Sequence, residues 1–196
     1  MYPDFAEVRS FNRFEAEHFH ARLPKSKVVI HPDPVEFVET QRLVAISGIY
    51  GETNDFELCR SLIEWARRCE LPVVIRPHPQ DFSGYWKQWA DVAGIDFMEE
   101  RCDFDTFLEK VRPRFLVSWF STTIFDALKR GCVPVALTQQ AEAGDVVFPF
   151  LHVALRWPDD QDIIERLLDD RQACADLATQ KYAEATTCWP SKALFG

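Results

Sequence analysis

Three short segments of the sequence carry residue types that bind anionic ligands. In chain order they are Ser47-Gly48-Ile49-Tyr50-Gly51, Arg76-Pro77-His78-Pro79 and Ser121-Thr122-Thr123. Glycine leaves the backbone amides accessible, hydroxyl and imidazole groups donate hydrogen bonds, and a guanidinium adds a permanent positive charge. Because these groups together suit a phosphate, the sequence predicts a site for a phosphate-bearing small molecule.

The segment around His78 is the most informative of the three. Pro77 and Pro79 restrict the backbone on both sides of this histidine, so its imidazole is presented in one direction. An imidazole held in this way can donate a hydrogen bond or a proton to a leaving phosphate, which makes His78 the candidate catalytic residue. Arg76 is a candidate phosphate ligand beside it. The alternative is that these residues form only a rigid turn.

The other two segments allow a structural and a functional interpretation side by side. Ser121, Thr122 and Thr123 lie at the start of a predicted helix, where hydroxyl groups either cap the helix or bind phosphate, and the two roles are compatible. Gly48 is either part of an ordinary turn or the point where a ligand approaches the backbone. Asp126 lies one turn into the helix, where it either reaches a ribose hydroxyl or stabilises the helix dipole.

The elements that must position these residues alternate between strands and helices. The hydrophobic periodicity predicts strands at 28–30, 43–47, 72–75, 95–98, 115–118, 133–137 and 152–155, and helices at 55–69, 83–93, 104–111, 122–129, 159–168 and 171–185. This alternation is typical of a Rossmann-like, three-layer α/β/α fold with a mainly parallel sheet. Each phosphate segment follows a strand and precedes a helix, so we expect all three at the carboxyl edge of that sheet.

The length of 196 residues predicts one main domain with flanking segments. We expect a helical or linker segment at 1–26, a Rossmann-like nucleotide-binding domain at 27–170, and a closing helix with a tail at 171–196. The composition, with 47% hydrophobic and 27% charged residues, is that of a globular protein.

The net charge restricts the classes of binding partner, and the cysteine pattern indicates the redox environment. A net charge of −9 disfavours nucleic acid as a partner. The six cysteines include no C-x-x-C pair, which favours a reducing environment. Because no signal peptide or transmembrane segment is evident, we expect a cytoplasmic location, including a peripheral position at the inner face of the membrane.

Two of the segments, taken in order, resemble a known family. The residues from Val73 to Pro79 look like the His-Pro motif of GT-B glycosyltransferases, and those from Ser121 to Val135 resemble the later Ser-Thr helix of the same enzymes. Ser121 lies 43 positions after His78. Bacterial sialyltransferases, capsule Kdo transferases and teichoic-acid glycerophosphotransferases share this arrangement. The resemblance covers about residues 27–170 and corresponds to a single lobe, the C-terminal one that binds the donor nucleotide.

The resemblance implies a role for each residue. His78 would bind the donor phosphate and help the nucleotide leave, Ser121 and Thr122 would bind the same phosphate, and Gly48 would let the donor approach. The substrate would be a CMP- or CDP-linked sugar, transferred to a glycan acceptor in capsule or surface polysaccharide synthesis. No metal or separate cofactor is implied.

One departure from the family pattern leaves the activity open. The sialyltransferases carry their general base in an acidic-acidic-glycine motif on the N-terminal lobe, and no such tripeptide occurs here. The chain would then need a second Rossmann-like lobe or another protein partner, or it would be a non-catalytic nucleotide-binding or scaffold module. A UDP-sugar epimerase-like lobe is a further alternative.

Asp103 and Asp105 have the D-x-D spacing that binds a divalent metal in another transferase fold. We expect Asp103 instead to cap the helix that follows.

Overall fold

A computed structural model describes residues 7–10, 13–30, 34–48, 56–100, 102–119, 123–137 and 153–186 of the chain. The strands are β1 (Glu7–Ser10), β2 (Lys27–Ile30), β3 (Gln41–Ser47), β4 (Val73–Arg76), β5 (Asp96–Phe97), β6 (Pro113–Ser118), β7 (Val133–Ala136) and β8 (Leu155–Arg156). The helices are α1 (Arg13–Arg22), α2 (Phe56–Arg68), α3 (Tyr85–Ala93), α4 (Phe104–Val111), α5 (Thr123–Lys129), α6 (Gln161–Leu167) and α7 (Arg171–Thr186).

Six of these strands form one parallel sheet in the order β5-β4-β3-β6-β7-β8. From β3 the chain proceeds outward to β4 and β5, and from β6 it proceeds outward in the opposite direction to β7 and β8. This reversal between two neighbouring strands is the defining feature of a doubly wound sheet. The predicted Rossmann-like α/β fold with a mainly parallel sheet is confirmed.

The two faces of the sheet are covered by different helices, because successive strand residues point to opposite sides. Ile46 of β3 and Val117 of β6 belong to the larger apolar cluster, which includes buried residues of α2, α3 and α6. Ala45 and Leu116, their neighbours along the strands, pack with residues of α4 and α5. The sheet is therefore the middle layer of three, and its central strands are apolar on both faces.

The N-terminal part of the chain differs from its prediction. Lys27–Ile30 was expected within the Rossmann-like region, but it pairs in parallel with Glu7–Ser10 in a separate two-stranded sheet. Helix α1 connects these two strands, so the three elements form a small βαβ unit. The sequence pattern did not predict β1, because its four residues include Val8 as the one apolar side chain. Because few residues separate β1 from β2, their pairing closes a short loop and costs little chain entropy.

Within the described residues, none of the helices is long and apolar enough to cross a membrane. Of the predicted strand at 152–155, Leu155 alone lies in a strand, β8, whereas Val153 and Ala154 do not and residue 152 lies outside the described part.

Candidate functional site

The candidate site lies where the sheet reverses its winding direction. In open parallel sheets, ligands bind in the crevice outside the carboxyl ends of the two strands at this point. Here those strands are β3, followed by Gly48, and β6, followed by Trp119. The Gly48 amide donates to the backbone oxygen of Arg76 at 2.8 Å. The structure therefore brings the first phosphate segment and the start of the second together.

His78 is half-buried in the turn that follows β4. Its carbonyl oxygen accepts a hydrogen bond from the Asp81 amide at 2.9 Å, and its ring Nδ1 accepts one from the Gln80 amide at 3.2 Å. Because Nδ1 acts as an acceptor, the proton of the neutral ring is on Nε2. The turn thus fixes Nε2–H as the hydrogen-bond donor of the neutral imidazole.

Asp81 is a structural residue of this loop that the sequence analysis did not identify. It is buried, and its Oδ1 accepts hydrogen bonds from the Ser83 amide at 3.0 Å and the Ser83 hydroxyl at 2.6 Å. The Ser83 Oγ in turn accepts from the Tyr85 amide at 3.1 Å, at the start of α3. An Asp two residues before a Ser is a recognisable turn signal. These contacts attach the loop that carries His78 to α3.

The side chain of Arg76 contacts residues on the face of the sheet that α4 covers. Its guanidinium is buried, donates to the Cys102 carbonyl oxygen at 2.9 Å, and lies 5.2 Å and 5.6 Å from the ring centroids of Phe104 and Phe107. Burial lowers the pKa of Arg76, although the charges of Cys102 and Asp103 oppose this effect. These contacts give Arg76 a packing role against α4, and its role as a phosphate ligand stays a prediction.

Gly48 is required by the packing of an aromatic side chain. A Cβ atom at this position would lie 3.0 Å from Cε2 and 3.1 Å from Nε1 of Trp86. The Trp86 ring also packs against Trp119, with 5.4 Å between ring centroids, and against Trp89 at 5.9 Å. The structure therefore supplies a steric reason for this glycine that does not depend on a ligand.

A cavity of about 240 Å³ adjoins the loop that carries His78. Its lining residues are Pro77, Asp81, Phe82, Gly84, Trp86, Lys87, Phe97 and Glu99. Lys87 Nζ forms an ion pair with Glu99 Oε1 at 2.5 Å and lies 5.4 Å from the Phe97 ring centroid. This hydrogen bond lowers the pKa of Glu99 and raises that of Lys87, so both groups are charged at neutral pH.

The third predicted segment is only partly described. Ser121 and Thr122 lie outside the described residues, whereas Thr123 is the first residue of α5. Asp126 forms an ion pair with Lys129 on the same helix, with 3.1 Å between Oδ1 and Nζ. This pair tests neither interpretation of Asp126, so its contact with a ribose and its effect on the helix dipole both stay predictions.

The D-x-D spacing has a structural explanation. Asp103 is the N-cap of α4, since its Oδ1 accepts from the Thr106 amide at 2.8 Å and its Oδ2 from the Thr106 hydroxyl at 2.8 Å. The expected capping role is confirmed. In the part of the chain that the structure describes, no group of three or more His, Cys, Asp or Glu side chains is placed to hold a metal ion.

The sheet order and the position of this crevice define a class, the Rossmann-like α/β lobe. A structure of the wall teichoic acid polymerase TagF soaked with CDPG matches with a TM-score of 0.57 and 8% identity, over 93% of this chain and 52% of that chain. HepE from Anabaena, in complex with UDP-glucose, matches with a TM-score of 0.54 and 13% identity, over 92% and 60%. TarM matches with a TM-score of 0.53 and 10% identity, over 93% and 41%.

At these identities the likeness shows the shared fold alone. The chain spans about half the length of these three neighbours. Neither a protein-family model nor a curated protein matches it by sequence.

Proposed function

We propose that this chain is the donor-binding lobe of a glycosyltransferase and that it binds a CMP- or CDP-linked sugar. One observation carries the proposal: the imidazole of His78, whose Nδ1 accepts from the Gln80 amide, lies in the turn after β4, the strand next to β3 at the crevice of the doubly wound sheet. The expected products are capsule or surface polysaccharides built on a glycan acceptor. The expected location is the cytoplasm, including the inner face of the membrane.

The chemistry assigned to His78 follows from its hydrogen bonds. The Gln80 amide holds Nδ1 as an acceptor, so the donor of the neutral ring is Nε2–H, which would donate to a phosphate oxygen of the nucleotide donor. As the bond between the sugar and the phosphate breaks, negative charge develops on that oxygen, and a positioned donor stabilises it. The hydroxyl groups of Ser121, Thr122 and Thr123 would bind the same phosphate.

The choice of nucleotide rests on two kinds of support. The TagF structure was soaked with CDPG, whereas the HepE structure contains UDP-glucose, so the shared fold is compatible with either pyrimidine. The His-Pro segment at His78 and the Ser-Thr segment at Ser121 resemble the enzymes that use cytidine nucleotides. We therefore place cytidine before uridine.

Calorimetric titration tests the proposal. CMP, CDP, UMP and UDP are titrated into the wild-type protein and into His78→Ala, with His20→Ala, an exposed residue of α1, as the control. We expect CDP to bind more tightly than UDP, and His78→Ala to weaken CDP binding about tenfold, because one hydrogen bond to a charged group is lost. His20→Ala should bind as the wild type does.

Three outcomes would change the proposal. Absence of binding to all four nucleotides rejects a nucleotide site. Equal CDP affinity of His78→Ala and the wild type rejects the role of His78. A preference for UDP rejects the cytidine donor and favours the UDP-sugar lobe.

A second candidate function is a nucleotide-binding or scaffold module that needs a partner lobe for catalysis. It is favoured by the absence of the acidic-acidic-glycine tripeptide that carries the general base in the sialyltransferases. A transfer assay with the purified chain, a CMP-sugar and a glycan acceptor separates the two candidates. Turnover by the chain alone rejects the module, and tight CDP binding without turnover supports it.

A further inference from the structure

Three of the buried tryptophans differ in how their indole N–H groups are satisfied. Trp65 Nε1 donates to Glu165 Oε1 at 2.9 Å, and Trp157 Nε1 donates to Ser61 Oγ at 2.8 Å. Trp119 is just as well buried, with 1% of its surface exposed, yet its Nε1 has no hydrogen-bond acceptor among the residues that the structure describes. Because an indole N–H can only donate, it has no second way to be satisfied.

An unsatisfied donor of this kind is costly and requires an explanation. A buried N–H without a partner loses its hydration and gains nothing in exchange, and native proteins contain few such groups. The Trp119 ring itself is well packed, since it lies against Trp86, whose own ring lies against Gly48. The ring is therefore placed by its contacts, while its polar atom lacks the acceptor that Trp65 and Trp157 have.

The position of Trp119 indicates where an acceptor would come from. It is the residue directly after β6, and β6 pairs with β3 so that Val117 lies opposite Ile46. Trp119 and Gly48 each lie two residues beyond this pair, at the carboxyl ends of the two strands that border the crevice. In doubly wound folds, the phosphates of a bound nucleotide lie in this crevice.

We propose that the Trp119 indole N–H donates a hydrogen bond to a phosphate oxygen of the bound nucleotide. This inference rests on the proposed function, because it assigns a further ligand to the same nucleotide site. The ligand would bring the acceptor, since none of the described residues supplies one at Nε1. Trp119, which follows β6, and His78, which follows β4, then bind the phosphate from the ends of the two strands that flank β3.

A buried water molecule is the competing explanation for this atom. Such a water makes two to four hydrogen bonds to otherwise unsatisfied polar groups. Ser118 Oγ is also buried without a partner, but consecutive strand residues point to opposite faces of the sheet, so it does not lie on the side of Trp119. A water at Trp119 would leave nucleotide affinity independent of the indole N–H.

The substitution Trp119→Phe tests the proposal, because it keeps an aromatic ring and removes the N–H donor. Trp65→Phe is the matched control, since it removes an indole N–H that is satisfied within the protein. We expect Trp119→Phe to weaken CMP and CDP binding about tenfold and to leave the affinity for the nucleoside cytidine unchanged. Trp65→Phe should bind all three like the wild type but lower the urea midpoint more than Trp119→Phe does.

The indole N–H resonances provide a direct readout. The chain has six tryptophans, and the signal missing from the ¹H–¹⁵N spectrum of Trp119→Phe identifies the Trp119 N–H. Addition of CDP to the wild type should move this signal downfield, as expected when an N–H donates to a charged oxygen. The Trp65 signal, identified in the same way, should move less.

Each outcome bears on one of the two proposals. If the wild type binds CDP and Trp119→Phe binds it equally well, this inference is wrong and the proposed function stands. If Trp119→Phe weakens cytidine and CDP equally, the acceptor is not a phosphate and the inference is overturned. If the wild type binds no nucleotide, both fail together.

Discussion

The imidazole of His78 shows how local backbone geometry can select a chemical role. Histidine has two ring nitrogens, and in the neutral ring one donates while the other accepts. The Gln80 amide occupies Nδ1 at 3.2 Å, a contact made within the turn that Pro77 and Pro79 flank. The choice of Nε2 as the donor of the neutral ring is therefore made within the turn itself, by the Gln80 amide.

Gly48 gives the first prediction at the scale of single residues. In Gly48→Ala, the new Cβ would lie 3.0 Å from the Trp86 ring, which is fully buried and cannot move aside easily. Overpacking of this kind costs about 1–3 kcal/mol, so the free energy of unfolding should fall by that amount. Urea denaturation measures the change.

A double variant separates this steric effect from any effect of the backbone. Trp86→Leu removes the ring that the new Cβ would meet. Gly48→Ala should therefore cost less than about 0.5 kcal/mol when it is made in the Trp86→Leu background, because sites in contact are not additive. If the cost is the same in both backgrounds, contact with Trp86 is not the reason for the glycine.

Helix α4 gives a prediction at the scale of an element. Its N-cap, Asp103, binds both the amide and the hydroxyl of Thr106, and these hydrogen bonds lower the pKa of the Asp103 carboxyl. In Asp103→Ala the amide loses its acceptor, so the melting temperature at pH 7 should fall by about 2–4 °C. Calorimetry or circular dichroism measures the shift.

The effect of Asp103 should also depend on pH in one direction. Because the pKa of this carboxyl is lower in the folded state, its stabilising contribution is present above the unfolded value of about 3.9 and is lost as the pH falls through the folded value. The difference between the wild type and Asp103→Ala should thus shrink on acidification from pH 7 to pH 3. Asp105→Ala, which removes the other acid of the D-x-D spacing, is the control. A metal site would make both substitutions equally harmful.

At the same scale, the sequence predicted elements well where one periodicity dominates. The pattern at 104–111 gives α4 with the observed bounds, and Gly131, with φ 78°, ends the α5 turn as expected for a residue after a helix. The strand β1 was missed because four mostly polar residues carry no alternation. The environment of Arg76 could not be predicted from the sequence either, because only the folded sheet brings its side chain against Phe104 and Phe107.

At the scale of the whole molecule, the order of the strands in the sheet determines where the crevice of the candidate site lies. Strand and helix patterns predict a parallel sheet, but they do not say which strands are neighbours, because that depends on how the helices cross over. The observed order places β3 beside β6, although more than 60 residues of chain separate them, and this pairing forms the crevice. That the Trp119 Nε1 has no acceptor among the described residues could be found only from the folded structure.

Two cysteines in opposite layers of the fold give a prediction for the whole molecule. Cys59 of α2 and Cys132, just before β7, are fully buried, and burial raises the pKa of each thiol to about 12. In the unfolded chain a thiol ionises near pH 8.5, so between these values the unfolded state loses protons that the folded state keeps. The contribution of these thiols to the free energy of unfolding is therefore complete below about pH 8.5. It declines as the pH rises toward 12, by up to about 1.4 kcal/mol per pH unit for each thiol.

The wild-type urea midpoint should fall between pH 8 and pH 10. In the Cys59→Ala, Cys132→Ala double variant it should start lower, because of the lost packing, and fall less over the same interval. An equal fall in the two proteins would show that other groups cause the alkaline loss and that these thiols do not resist ionisation in the folded state.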